Sequence, residues 1–162
     1  MEKTLLGFVL VLGIIMSQGV TATAQDSVVG YWKTGGLGTI NEVNTVTGQT
    51  KNNRGQMFSY KFGADGTYTF VGYMESTMFG CTTALFNEIN GHYTVEGSTI
   101  FLNPSRDFWK NTYSCFPNSN RSQTKVPTKK SLEFGFKTDQ YGKDFICLSD
   151  AGVDTCYRRE KE

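Results

Sequence analysis

Four cysteines, one histidine and a set of aspartates are the residues of this 162-residue sequence whose types could do chemistry. Nucleophilic or acid–base catalysis needs a nucleophile, a base and a group that orients them. His92 is the only histidine. The alternation around it turns it away from the face of Tyr93 and Val95, as a surface or cross-strand residue. Cys81, Cys115, Cys147 and Cys156 form an even set, which in an exported chain reads as two disulfides. Paired cysteines make poor nucleophiles. Zinc is the weaker alternative, because one histidine and no C-x-x-C pair is a thin ligand set. Asp65 sits in a turn, and Asp139, Asp144, Asp150 and Asp154 flank turns, where carboxylates bond backbone N–H groups. Asp150 and Asp154 could share a cation or act as an acid–base pair, yet a separation along sequence does not make carboxylates converge. The sequence therefore predicts no enzyme, no catalytic residue, no metal and no cofactor.

What remains is aromatic. Phe58, Tyr60, Phe62, Tyr68, Phe70, Tyr93, Phe134, Phe136 and Tyr157 all fall on one predicted inner face. Two readings stand side by side. In one, Tyr60, Phe62, Tyr68, Phe70, Tyr93, Phe134 and Phe136 are a ligand-binding set around a cavity, with tyrosine hydroxyls as its few orienting polar groups. Tyr60, Phe70 and Phe134 are then the expected wall. In the other, the rings simply fill a small core. The protein would then work through surface loops, as a protein-interaction or inhibitory module.

The elements that must position these rings are strands. Gln56 to Tyr73 reads as a β-hairpin. Phe58, Tyr60 and Phe62 alternate with Met57, Ser59 and Lys61, and Tyr68 and Phe70 alternate with Thr67, Thr69 and Val71. A two-residue Asp65-Gly66 turn would put the two aromatic rows on opposite faces. A three-residue Ala64-Asp65-Gly66 loop pairs Phe62 with Tyr68 and Tyr60 with Phe70, and places Gly66 where a left-handed residue is required. The buried face sets the register, so the three-residue loop is expected.

The other segments follow the same logic. Val28 to Thr34 is the first strand, and Gly35 to Gly55 a long polar excursion, a candidate lid. Thr83 to Val95 fits a short helix or a long bent strand; the strand is preferred, with Gly91 allowing the bend. A Glu96-Gly97 turn pairs Tyr93 with Ile100. It keeps Tyr93, Val95, Ile100 and Leu102 on one face, with His92, Thr94, Thr99 and Phe101 on the other. Pro104 ends that ladder or marks an edge, and Asp107 to Phe116 is a further strand.

Pro117 to Lys130 reads as a solvated polar loop. It is basic, but no aromatic residue interleaves to stack on bases, so nucleic acid is not an expected partner. Asn120-Arg121-Ser122 is a glycosylation sequon that matters only in a eukaryotic source. Beyond it, Phe134 should face Leu148 and Phe136 should face Ile146 across a Gln140-Tyr141-Gly142 loop. A last turn at Ala151-Gly152 sets Cys147 opposite Cys156, within disulfide reach. Cys81–Cys115 follows by elimination.

Residues 1–24 read as a signal peptide. Lys3 precedes an apolar stretch, Leu5 to Met16, and Ala22-Thr23-Ala24 is a cleavage site. The stretch is short of the ~20 residues that span a bilayer, so a retained anchor is the lesser reading. Residues 25–162 then form one domain, extracellular or periplasmic, expected as a monomer. A formal net charge of +1 gives no overall field toward nucleic acid or membrane. Eighteen glycines, twelve phenylalanines and eight tyrosines favour strands and turns. Eight to ten strands joined mostly by tight turns make an all-β antiparallel meander. Closing it into a barrel removes its edges; a two-sheet β-sandwich is the alternative.

The first strand carries Gly30-Tyr31-Trp32, a G-x-W. With Phe62-Gly63-Ala64-Asp65-Gly66-Thr67-Tyr68 and the two disulfides, the chain resembles an exported lipocalin-like protein of the calycin group. Thr138-Asp139-Gln140-Tyr141 departs from that group's T-D-Y signature by one inserted residue. The resemblance implies a barrel that takes a small apolar ligand inside. It also implies that Trp32 packs at the closed end beneath an arginine of the last strand. Arg159 shares parity with Tyr157 and is that residue; Arg158 does not. Gly30, Trp32 and Arg159 are thus the expected structural set.

Overall fold

The computed structural model describes residues 27–36 and 54–161. The expected signal peptide and residues 37–53 of the expected lid lie outside these described residues. Nine antiparallel strands run in chain order: β1 Gly30–Gly36, β2 Arg54–Phe62, β3 Thr67–Met78, β4 Cys81–Glu96, β5 Thr99–Tyr113, β6 Arg121–Lys125, β7 Lys130–Thr138, β8 Asp144–Asp150 and β9 Val153–Glu160. One short 3-10 turn, Pro117–Ser119, precedes β6.

The strands close on themselves. Sequence neighbours pair from β1 to β5. Then β5 pairs β7, β7 pairs β8, β8 pairs β9, and β9 returns to β1. The ring-like sheet is not spaced evenly around an axis. Eight strands make the ring, and β6 flanks the C-terminal half of β5. The fold is the all-β antiparallel meander that the alternating pattern predicts, with its two disulfides. Closure leaves one inward face, and the side chains on it make the core: Trp32, Phe62, Tyr93, Ile100, Ile146 and Leu148 are all buried.

The aromatic hairpin has the expected register. Phe62 pairs Tyr68 and Tyr60 pairs Phe70. Gly66 takes φ +79 at the third loop position. Asp65 Oδ1 accepts from the Thr67 N–H at 3.0 Å and the Thr67 hydroxyl at 2.7 Å, which locks the loop. These bonds, the hydroxyl first, hold the Asp65 carboxyl below its usual range. The ladder runs further than the alternation alone defines. It continues to Arg54↔Ser76, so Gly55 is a strand residue rather than part of the excursion.

Several boundaries differ from the sequence reading. The first strand begins at Gly30, not Val28. The second strand of the hairpin ends at Met78, not Tyr73, and a tight Phe79-Gly80 turn follows, because Met78 pairs Cys81. The next turn is Gly97-Ser98 and not Glu96-Gly97, with Gly97 at φ +58 as its first central residue. Tyr93 therefore pairs Leu102 and Val95 pairs Ile100. A shift of two keeps every side chain on its expected face.

Pro104 does not end the ladder. β5 runs straight through it as one 15-residue strand. A bulge there sets Asn90 opposite Arg106 and Gly91 opposite Pro104, leaving Ser105 as the extra residue. A proline has no N–H to give a ladder and is tolerated at a bulge. Beyond the bulge the parity of β5 inverts, so Trp109 shares the face of Ile89, and Phe108 points the other way. Pro117 to Lys130 is likewise not all loop, since β6 pairs Asp107 through Asn111 of β5.

Both disulfides join the expected partners. Cys81–Cys115 ties the far ends of β4 and β5, with Cα atoms 5.4 Å apart. Cys147–Cys156 spans a directly opposed pair on β8 and β9, with Cα atoms 3.9 Å apart.

Candidate functional site

The ring has a filled end and an open end, and the axial position of each inner residue decides its role. At the filled end Trp32 is wholly buried, and its indole N–H donates to the Val28 carbonyl at 2.8 Å. Arg159 is its Cα partner across β1 and β9. The guanidinium carbon lies 4.2 Å from the centre of the indole ring system. The same guanidinium donates to the Val29 and Ser27 carbonyls at 3.3 Å. Gly30 makes room for it, since a Cβ there would stand 3.2 Å from Arg159 Nη1. Gly30, Trp32 and Arg159 thus form one packed unit, while Arg158 turns outward and binds Glu160.

Above this unit the core is closed by Phe62, Tyr68 and Tyr93. Phe62 packs edge-on against Tyr93 with centroids 4.9 Å apart. The Tyr93 hydroxyl donates to the Gly63 carbonyl at 3.0 Å, which ties β4 to the hairpin loop. These three residues of the candidate set are therefore core at the filled end. Phe134 packs against that core. Phe136, 47% exposed, lies 5.8 Å from Trp32 at the rim.

At the other end the ring holds a cavity of about 690 Å³. Its apolar wall comes from Phe58, Tyr60, Phe70, Leu132, Leu148 and Tyr157. Of the candidate set, Tyr60 and Phe70 stand on this wall; Phe134 does not. The wall rings are mutually packed. Phe58 and Phe70 stack at 6.4 Å, Tyr60 tilts against Phe70 at 4.9 Å, and Tyr60 meets Tyr157 edge-on at 5.4 Å. Each comes from a different strand position, so the wall holds its shape only while β2, β3 and β9 stay in register.

The polar groups sit at the mouth. Thr34, Gln56, Thr155, Lys130 and Asp150 border the opening. Lys130 Nζ donates to Asp150 Oδ2 at 2.7 Å, and both side chains are half-exposed. Burial, reinforced by the nearby Asp150 carboxylate, pushes the Tyr157 phenol up to about 12. Burial, then Tyr157, pushes Tyr60 beyond the ordinary phenol range. Both phenols are neutral donors at physiological pH. Phe58, Leu132, Leu148, Tyr157, Lys130 and Asp150 were outside the candidate set. Phe58 and Leu132 share the alternation of the chosen rings and were legible; the Lys130–Asp150 contact carries no sequence signal, because it depends on where the β7–β8 ladder ends.

The other candidate groups do not converge. Asp150 pairs Val153 and Asp154 pairs Ser149, so consecutive positions place the two carboxylates on opposite faces. His92 is exposed on the outer surface opposite Thr67 and Asn103. Among the described residues, no group of three His, Cys, Asp or Glu could hold a metal ion. No described helix is long and apolar enough to cross a membrane. The polar stretch after Pro117 does meet an aromatic ring, from another strand: Lys125 Nζ sits 3.7 Å from the centre of the Trp109 ring system. Comparison with protein-family models, curated proteins and solved structures gives no match to this chain.

Proposed function

We propose that this chain is a secreted, non-enzymatic binding protein that takes a small, mainly apolar ligand into the open end of its β-ring. The observation that carries the reading is the 690 Å³ cavity walled by Phe58, Tyr60, Phe70 and Tyr157 with Leu132 and Leu148. Ligand sites are concave, mostly apolar and furnished with a few placed polar groups, and the mouth supplies those groups. Two disulfides and the leader-like first 24 residues favour export to an oxidising compartment. The kinship to lipocalin-like proteins rests on Gly30, Trp32 and Arg159 acting as one unit.

A neutral apolar dye, N-phenyl-1-naphthylamine, tests the reading. It should bind saturably at one site per chain. Phe70→Ala should weaken that binding more than the surface change Lys110→Ala. Folding of both variants is checked by urea titration, because truncating a packed Phe costs ~3–5 kcal/mol where the site is core alone. Absence of saturable uptake by the wild-type protein sinks the proposal and leaves the interaction-module reading. That second reading has its own support: an apolar groove on the outer sheet face, about 450 Å³, lined by Tyr73, Phe86 and Phe108.

A further inference from the structure

Resting on the cavity-binding reading, we infer that the ligand is uncharged: a small molecule with a ring-bearing apolar body and one hydroxyl, carbonyl or amide head that sits at the mouth. A ligand entering the cavity meets few titratable groups. Among its described lining residues they are four: Tyr60, Tyr157, Lys130 and Asp150.

The two tyrosines are held neutral. Burial disfavours the phenolate of each, and the Asp150 carboxylate disfavours it further. They can donate or accept a hydrogen bond but cannot balance a charge. Neither hydroxyl has a hydrogen-bond partner among the described residues, so both are free to serve a ligand.

Lys130 and Asp150 neutralise each other. Their 2.7 Å contact makes the pair a dipole with no net charge of its own, and the described mouth holds no other charged side chain. A carboxylate head that approached Lys130 would meet Asp150 beside it, and an ammonium head that approached Asp150 would meet Lys130. Either ion also loses hydration against an aromatic wall, a large cost for a charge and a small one for a hydrogen-bonded neutral group. The remaining rim groups among the described residues are neutral as well. Thr34, Gln56 and Thr155 offer a mixed set of donors and acceptors. Packed rings on the wall favour a flat or ring-bearing body over a flexible chain, since stacked and edge-on contacts add to area burial.

The test uses three ligands with one body: 2-naphthaleneethanol, 2-naphthaleneacetate and 2-(2-naphthyl)ethylamine. Each displaces N-phenyl-1-naphthylamine from the full chain at pH 7.5. The alcohol should bind about tenfold or more tighter than either ion. Asp150→Asn should leave Lys130 unpaired and raise the affinity of the carboxylate relative to the alcohol by about fivefold or more. Lys130→Gln should do the same for the amine. Circular dichroism and dye uptake confirm that both variants still fold and bind.

The outcomes separate the two readings. If the dye binds but an ion is preferred by the wild-type protein, the inference is wrong and the cavity reading survives. The inference is equally wrong if the dye binds and none of the three displaces it. It is also overturned if Asp150→Asn and Lys130→Gln leave the ranking unchanged. If neither dye nor ligand binds, the cavity reading itself fails and takes the inference with it.

Discussion

Arg159 lies over the indole of Trp32, its guanidinium carbon 4.2 Å from the ring centre, and the two are direct partners across β1 and β9. Two residues 127 positions apart thus lock the first strand to the last and close the ring. Arg159→Ala should lower stability by about 1–3 kcal/mol, combining the loss of the cation–π contact and of hydrogen bonds to two carbonyls. Arg159→Lys should restore less than half, because an ammonium cannot stack and fork to both carbonyls at once. Urea midpoints of the three proteins measure this; equal midpoints for Ala and wild type would remove the contact from the account of closure.

Gly91 should tolerate no side chain. A Cβ there would stand 2.4 Å from the Asn103 carbonyl oxygen and 2.6 Å from Pro104 Cα. Both are backbone atoms at the bulge and cannot swing aside. Gly91→Ala is expected to cost about 2 kcal/mol or more. Gly135→Ala is the control, since its Cβ would meet nothing within 4 Å. Similar thermal midpoints for the two variants would mean that the bulge yields.

The two disulfides should contribute unequally. Cys81–Cys115 closes a 34-residue separation and Cys147–Cys156 one of nine. Chain-entropy arguments give about 4 kcal/mol for the first and about 2.5 kcal/mol for the second. Replacing Cys81 and Cys115 by Ser together should thus destabilise more than the same change at Cys147 and Cys156. Denaturant titration under non-reducing conditions decides the order.

Alkaline pH should loosen the open end. Tyr157 has its folded pKa raised to about 12, from an ordinary value of 10.0. A raised folded pKa means that the folded state holds the proton more tightly. Its contribution is fully present below the unfolded value of ~10 and is lost as pH rises from there through about 12. Stability should be flat through pH 9 with respect to this group and should fall from pH 10 upward. Tyr157→Phe removes the titration and should make that fall shallower, by urea midpoints between pH 8 and 11.5. A fall of identical slope in the variant would assign it to other groups.

Much of this architecture was legible in residues alone, because side-chain direction in a strand has a period of two. That period put Phe62 beside Tyr68, Phe134 beside Leu148 and Cys147 beside Cys156, and separated His92 and Phe101 from Tyr93 and Leu102. It survived even the misplaced Glu96-Gly97 turn, since a slip of two returns every side chain to its own face. What the period does not carry is position along the ring axis. Tyr60 and Tyr68 share a face, yet one borders the cavity and the other lies in the filled end, because the tilt and closure of the strands set that depth. Pairings between distant segments were equally invisible. β5 passes through Pro104 because a bulge absorbs the missing donor, and polar β6 is a strand only because β5 offers it an edge. The Lys130–Asp150 contact belongs to the same class. Two ordinary charged residues meet at the mouth because β7 and β8 end there, and that meeting, a property of the closed ring, balances the charges of the described lining.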